Sequence, residues 1–357
     1  MREFNYNFLK EKQWDKEILG YIGLIHEYKG KQQLYLKQKP FELDRLVELA
    51  KIQSTESSNA IEGIVTTNQR LKQLMDEKTT PRNRCEQEIL GYRAVLEMVH
   101  ESFEYMPITA NVILQLHKKL YSFLPTSFGG VFKTTSNEID EIRSDGTVVV
   151  RFKPLEPFET PDAVDRLCKA YNEIIASGVI DPLVVIPTFI HDFLCIHPFN
   201  DGNGRMSRIL TTLLLYKNGY VVGKYISLEK KIHENKDEYY DALQLASKKW
   251  YDGTNDDSAF TKYILGVVLS AYRDFDERLQ IITSKKTAKE MVKEVFAVKL
   301  GKITKSDIME MCPNLSRSAV EKALRELIAE KYIAKYGRGP ATFYSSSSHA
   351  KVSTDMS

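Results

Sequence analysis

Cysteine is scarce and scattered in this chain of 357 residues. Cys85, Cys168, Cys195 and Cys312 form no CxxC pair and no metal-ligand spacing, which argues against a disulfide framework and a cysteine zinc site. Long apolar runs are missing too. Nothing approaches the roughly 20 apolar residues of a membrane span, and the opening MREFNYNFLKEKQW lacks the apolar stretch of a secretory signal. A soluble protein of the reducing cytoplasm, with no membrane partner, is expected. Net charge is also small: 50 Lys and Arg against 48 Asp and Glu leave +2, too little to gather polyanions by itself. The charge is unevenly spread, however. Between residues 285 and 338, 13 basic residues stand against 7 acidic ones, so only this C-terminal stretch is basic.

What is present is mostly helical pattern. Over 42–51, 84–101, 110–122 and 162–177, apolar residues recur three and four apart, the stripe of a core-facing helix. The clearest strand signal lies at 138–153, where Ser144-Asp145-Gly146 is a turn signal followed by the β-branched run 147–150. A hairpin in an otherwise helical protein is predicted there. Pro154, Pro157 and Pro161 punctuate the next loop, with Thr160 as N-cap and Pro161 at the first helical position. The expected fold is mainly α: a helical bundle with one hairpin, followed by a small C-terminal domain. Expected boundaries are 1–105 for an N-terminal helical region, 106–280 for a central domain, 285–345 for the C-terminal domain and 346–357 for a disordered polar tail.

Chemistry concentrates in IHPFNDGNGRMSR, residues 196–208. A histidine precedes a Gly-Asn-Gly turn that opens into an amphipathic helical stretch over 205–216. Backbone N–H groups at a helix N-terminus, with Gly202 and Gly204 permitting close approach, form an anion site. Arg205 and Arg208, one turn apart, add guanidinium forks suited to phosphate oxygens. Asp201 at the mouth of the turn offers a hard oxygen for Mg²⁺ bridging phosphates. His197 alone here titrates near neutrality, which suits a general base. Taken singly, each feature is more often structural; a base, a metal ligand and a phosphate cradle within about a dozen residues point together to nucleotide chemistry. His191 reads as a packed helical residue, and Cys195 as core.

The run HPFNDGNGRMSR resembles the Fic signature HxFx(D/E)GNGRxxR at every defined position, and the resemblance extends through most of 50–275. It implies transfer of AMP from ATP to a Ser, Thr or Tyr hydroxyl of a target protein or of the chain itself. On that resemblance His197 is the catalytic base and Asp201 the Mg²⁺ ligand. Gly202, Asn203, Gly204, Arg205, Met206, Ser207 and Arg208 form the ATP-binding loop, with Arg208 on the γ-phosphate and Phe199 a core anchor. Ser58 to Gly63, SNAIEG, resembles the family's inhibitory motif (S/T)xxxE(G/N), on a helix expected around 55–63. Ser58 and Glu62 then share a helix face, and Glu62 would occupy Arg208. The hairpin would be the flap that docks a target strand through Val149, Val150, Arg151 and Phe152. Asn235, Tyr239 and Tyr240 would lie near the adenine or ribose. A homodimer through the Fic core is a further expectation that the resemblance raises.

Residues 288–344 are ordered as a winged helix-turn-helix: helix, short segment 301–304, helix from Lys305, turn, helix 316–331, and a strand pair over 336–344. Arg317, Ser318, Lys322, Lys335 and Arg338 would meet DNA if DNA is bound, and protein docking is the alternative. Two other functions stay open: removal of AMP or another nucleotidyl transfer at the same site, and a DNA-binding regulator with a nucleotide-sensing core. Kinase-like use is disfavoured, because the Gly-Asn-Gly turn is intact.

Overall fold

The computed structural model describes residues 4–38, 40–76, 79–124, 129–142, 148–283, 286–299 and 301–346. Regular structure among them is mainly helical, as expected. The chain divides into two compact units, 1–29 with 50–271 and 30–49 with 272–357. Helices α1 (Lys16–Gln38) and α2 (Pro40–Ile61) each contribute to both units. A helix of 22 residues is about 33 Å long, so one amphipathic helix can serve two cores. The turn signal at 144–146 and the tail from 347 lie outside the described residues.

The first unit continues with α3 (Asn68–Met75), α4 (Arg84–Ser102), α5 (Ala110–Leu120), β1 (Ile139–Ile142), β2 (Val148–Phe152) and α6 (Thr160–Ser177). It ends with α7 (Pro182–Ile196), α8 (Asn203–Lys217), α9 (Leu228–Glu234), α10 (Lys236–Ser247) and most of α11 (Ser258–Thr283). Helix α7, PLVVIPTFIHDFLCI, is apolar on nearly every side and is buried almost throughout, as is α8. A helix apolar all round belongs at the centre of a bundle, and α7 packs on both α6 and α8. Its one buried carboxylate, Asp192, is satisfied by the Tyr6 hydroxyl at 3.1 Å and the Trp250 indole N–H at 2.7 Å. Strands β1 and β2 pair antiparallel with an irregularity between Ile139 and Asp140, so the hairpin is present at the expected place. Helix α6 starts one residue earlier than its sequence signals: Glu159 is the N-cap, because the Thr160 hydroxyl donates to Glu156 O at 3.0 Å instead of accepting from the helix.

In the second unit, α12 (Ala288–Val298), α13 (Lys305–Met311), α14 (Arg317–Ala329), β3 (Ile333–Tyr336) and β4 (Phe343–Ser346) follow in the order read from the sequence. Both α12 and α13 open with capping boxes, Thr287 with Glu290 and Thr304 with Asp307. Ser316 caps α14. Val292, Val295, Ile308, Val320, Leu324 and Leu327 close a single core. The strand pair begins at Ile333, three residues before the expected start, because Ile333 itself is buried in that core. Ile303 exchanges two backbone hydrogen bonds with Tyr344, adding a third segment to the hairpin.

Candidate active site

Helix α7 ends at His197, whose φ of 51° reverses the chain into the loop before α8. A non-glycine residue in this left-handed region costs on the order of 1 kcal/mol, and the surroundings hold it there. The Asn203 side chain takes both polar groups of Phe199, accepting from its N–H at 2.9 Å and donating to its carbonyl at 2.7 Å. Lys133 donates to Ile196 O and to the Asn137 side chain, and Asn137 donates to Phe199 O. Burial pushes the Lys133 ammonium down to about 8. His117 stacks on Phe199 with ring centroids 3.6 Å apart. Because the Gly130 N–H donates to His117 Nδ1, His117 Nε2 carries the proton given to Asp201 O at 3.0 Å. No sequence signal pointed to Lys133, Asn137 or His117. Their role follows from which loop carbonyls they happen to reach, and that is a property of the fold.

His197 is half-buried, and burial is the main cause that lowers it to about 4. It is therefore neutral at pH 7. Its Nδ1 lies 3.3 Å from Leu194 O, which can only accept, so the proton is on Nδ1 and the Nε2 lone pair is available. His197 lines a cleft with Gly204, Arg208 and Glu62 on one side and Arg151, Phe152, Tyr239 and Tyr240 on others. His197, the start of α8, β2 and the two tyrosines, all singled out in the sequence, thus line one cleft. Free volume in the cleft is about 210 Å³, below the roughly 300–1,000 Å³ of ligand pockets.

Glu62 fills part of that space. Helix α2 ends in a Schellman turn: Gly63 N–H donates to Ala60 O and Ile64 N–H to Asn59 O, with Gly63 at φ 76°. The turn delivers Glu62 to Arg208, whose Nη2 donates to Glu62 Oε1 at 2.6 Å. Arg208 also donates from Nε to Ser58 Oγ at 2.8 Å and from Nη2 to Ser58 O at 2.9 Å. Its guanidinium is almost fully buried. A methyl group at Gly204 would lie 2.3 Å from Glu62 Oε1, so the carboxylate rests directly on the backbone at the start of α8. There the first N–H groups have no partner within the helix and the dipole is positive. The carboxylate occupies an anion site.

Other predicted residues turn elsewhere. Arg205 leaves the cleft: its Nη1 donates to Glu88 Oε2 at 2.6 Å and its Nη2 to the Tyr121 hydroxyl at 2.8 Å, with only 1% of the side chain exposed. Met206 is core, and the Ser207 hydroxyl donates to Gly204 O. Gly202, at φ 84°, faces Tyr121 and Leu120 so closely that a side chain would collide. Asn235 is exposed and stands outside the cleft lining. Val150 on β2 is half exposed, and Val149 pairs with Glu141. Cys195, packed as expected, also borders the cleft, and His191 is buried against it.

Asp201 is 45% exposed, accepts from Gly202 N–H at 2.7 Å and is paired with Arg84 at 3.2 Å and with Arg205 at 3.6 Å. No group of three metal-ligating side chains occurs among the described residues. A lone accessible carboxylate fits Mg²⁺ all the same, since this ion is usually held by one or two carboxylates plus substrate phosphates and water. Arg84 is itself largely exposed, with its Nε donating to Glu88 at 2.6 Å.

The sequence pattern of the Fic/DOC family matches residues 107–215. A Fido domain-containing protein of Dictyostelium discoideum is 33% identical over 128 residues, which are 35% of this chain and 85% of that protein. Protein adenylyltransferase Fic of Nematostella vectensis is 22% identical over 219 residues, 59% of this chain; the chain spans 47% of the length of that relative. The crystal structure of a Fic family protein from Desulfovibrio desulfuricans G20 shares the fold with a TM-score of 0.62 at 21% identity, covering 94% of this chain and 97% of the other. Residue pattern, loop geometry and relatives agree, and the chain belongs to the Fic/DOC family.

Proposed function

We propose that the chain is a protein adenylyltransferase that moves AMP from ATP onto a Ser, Thr or Tyr hydroxyl of a protein, and that Glu62 holds it in check. The observation that carries this reading is a neutral His197 with Nε2 available, beside an α8 N-terminus whose anion site Glu62 and Arg208 share. Relatives named as adenylyltransferases support it. On this reading the acceptor hydroxyl gives its proton to His197 Nε2 as its oxygen bonds to the α-phosphorus. The bond from that phosphorus to the bridging oxygen breaks, and pyrophosphate leaves. Asp201 would hold Mg²⁺, which when bound neutralises phosphate charge. Backbone N–H groups of α8 cradle the phosphates, and Arg208, released from Glu62, takes the terminal one. Arg205 contributes by fixing α8 against Glu88. The rim of the flap, at Arg151 and Phe152, is the docking edge for the target segment.

The test is label transfer to protein from ATP labelled at the α- or the γ-phosphate. Only the α-label is expected to transfer. Glu62→Gly should raise the rate about tenfold or more, since a charge-assisted hydrogen bond contributes roughly 1.5–3 kcal/mol. Adding His197→Ala should lower it by about 10²–10⁴. Transfer of the γ-label would overturn the proposal, and an unchanged Glu62→Gly rate would remove the brake alone.

A further inference from the structure

We propose that the C-terminal unit binds duplex DNA, with α14 entering the major groove and the β3–β4 hairpin alongside it. Three observations carry this. The first is architecture: after α12, the unit runs through the bridging Ile303, α13, a short turn, α14 and a two-stranded hairpin stitched to Ile303. Two consecutive helices joined by a short turn leave the second with one face free to read a groove. Helix α14 buries Val320, Ala323, Leu324 and Leu327, and by helical spacing its outer arc is Ser318, Glu321, Lys322, Arg325 and Glu326, with the exposed Arg317 at its N-terminal edge.

Charge segregation is the second. The acidic residues of the unit are largely committed elsewhere: Glu290 and Asp307 cap their own helices, Glu294 pairs with Lys286, Glu310 with Arg278 and Glu330 with Lys289. Glu321, which pairs with Lys305 and Arg317, and Glu326 stand on this arc, against Arg317, Lys322 and Arg325 on the helix and Lys335 and Arg338 on the hairpin, all five of them exposed. The local excess of positive charge is therefore gathered on one side, where a polyanion would meet it.

Convergence is the third. Arg317 at the start of α14, Lys305 at the start of α13 and Lys335 on β3 line one cavity together with the hydroxyl residues Thr304, Ser306 and Thr342. Cations and hydroxyls from three elements around one hollow match the positioning contacts to phosphate that fix a reading helix in register. Gly337 and Gly339, both at positive φ, let the hairpin tip carrying Arg338 turn tightly.

The experiment is fluorescence anisotropy of a labelled random-sequence duplex of roughly 30 base pairs with the full chain, titrated from about 50 to about 200 mM salt. Binding is expected with micromolar affinity at the low end and a steep loss as salt rises. Arg317→Ala, Lys322→Ala and Arg325→Ala combined should weaken binding at least tenfold and flatten the salt slope by about 2 to 3. Lys289→Ala with Lys293→Ala, on α12, should change it less than twofold, and His197→Ala should leave it intact. These substitutions are at exposed or partly exposed positions, and unchanged thermal midpoints would show that folding is preserved. No binding at the lowest salt, or equal losses from both sets, overturns the proposal. The first result would leave this face to a protein partner.

Discussion

The loop wall of the cleft is tied from several directions at once. Asn203 holds Phe199, Lys133 and Asn137 take the carbonyls of Ile196 and Phe199, and His117 stacks beneath. On the facing wall, α2 presents Ser54, Thr55, Ser57, Ser58 and Asn59, all buried and all polar, and ends in a part-exposed Glu62. The first wall is over-determined and keeps a strained His197 in place. The second adheres through exchangeable hydrogen bonds, with few large apolar side chains to drag through water if it withdraws. On the proposed function the loop needs one geometry, whereas a brake at Glu62 needs two, and the two walls differ accordingly.

The sharpest way to break this comparison is at Arg205. Removing it leaves Glu88 buried beside the loop wall, and losing one partner of a buried ion pair costs about 3–5 kcal/mol. Arg84 still reaches the other Glu88 oxygen at 2.6 Å, so the lower end is expected for Arg205→Ala. Denaturant midpoints measure it. A loss under about 1 kcal/mol would mean that the loop wall does not depend on this pair.

Ser58→Ala probes the other wall, and its effect should be smaller and of opposite sign in activity. It deletes the hydrogen bond from Arg208 Nε but spares the one to the Ser58 carbonyl, an expected change of about 0.5–1.5 kcal/mol in the hold of α2. AMP transfer should rise a few-fold with little change in thermal midpoint. Activity equal to wild type would place the brake on Glu62 alone.

Much of this was legible in the sequence. The signature loop marked the candidate site, the resemblance of residues 58–63 to an inhibitory motif implied the contact of Glu62 with Arg208, and hydrophobic period placed the helices that carry them. What sequence left open were matters of direction. Arg205 and Arg208 look alike one turn apart, but the buried Glu88 on α4 draws one of them out of the cleft. Asn235 has the right neighbours in sequence and the wrong exposure. Lys133 and His117 act through loop carbonyls that only tertiary packing brings near. The division of α1 and α2 between two units escaped because a continuous helical pattern carries no mark of a boundary.

Protons give the finest test of the loop wall. Burial is the main cause that lowers His117 and His197 to about 4 and His100 to about 3, while the ordinary histidine value is 6.5. The unfolded chain therefore takes up protons as pH falls through 6.5, and the native chain does so only near 4 or below. Stability from these groups is fully present above about 6.5 and is lost progressively as pH falls towards 4. Glu86, held down to about 2 chiefly by Arg70, loses its contribution at lower pH, below the ordinary carboxylate value of 4.5. The window from 6.5 to 4.5 thus reports these buried histidines. Urea midpoints across it should fall with acidification, and His117→Gln should reduce the slope while the transfer rate of Glu62→Gly keeps its acid limb well below 6.5. A slope unchanged by His117→Gln would show that the imidazole under the loop is already charged, and the stacked, neutral prop inferred for that wall would be wrong.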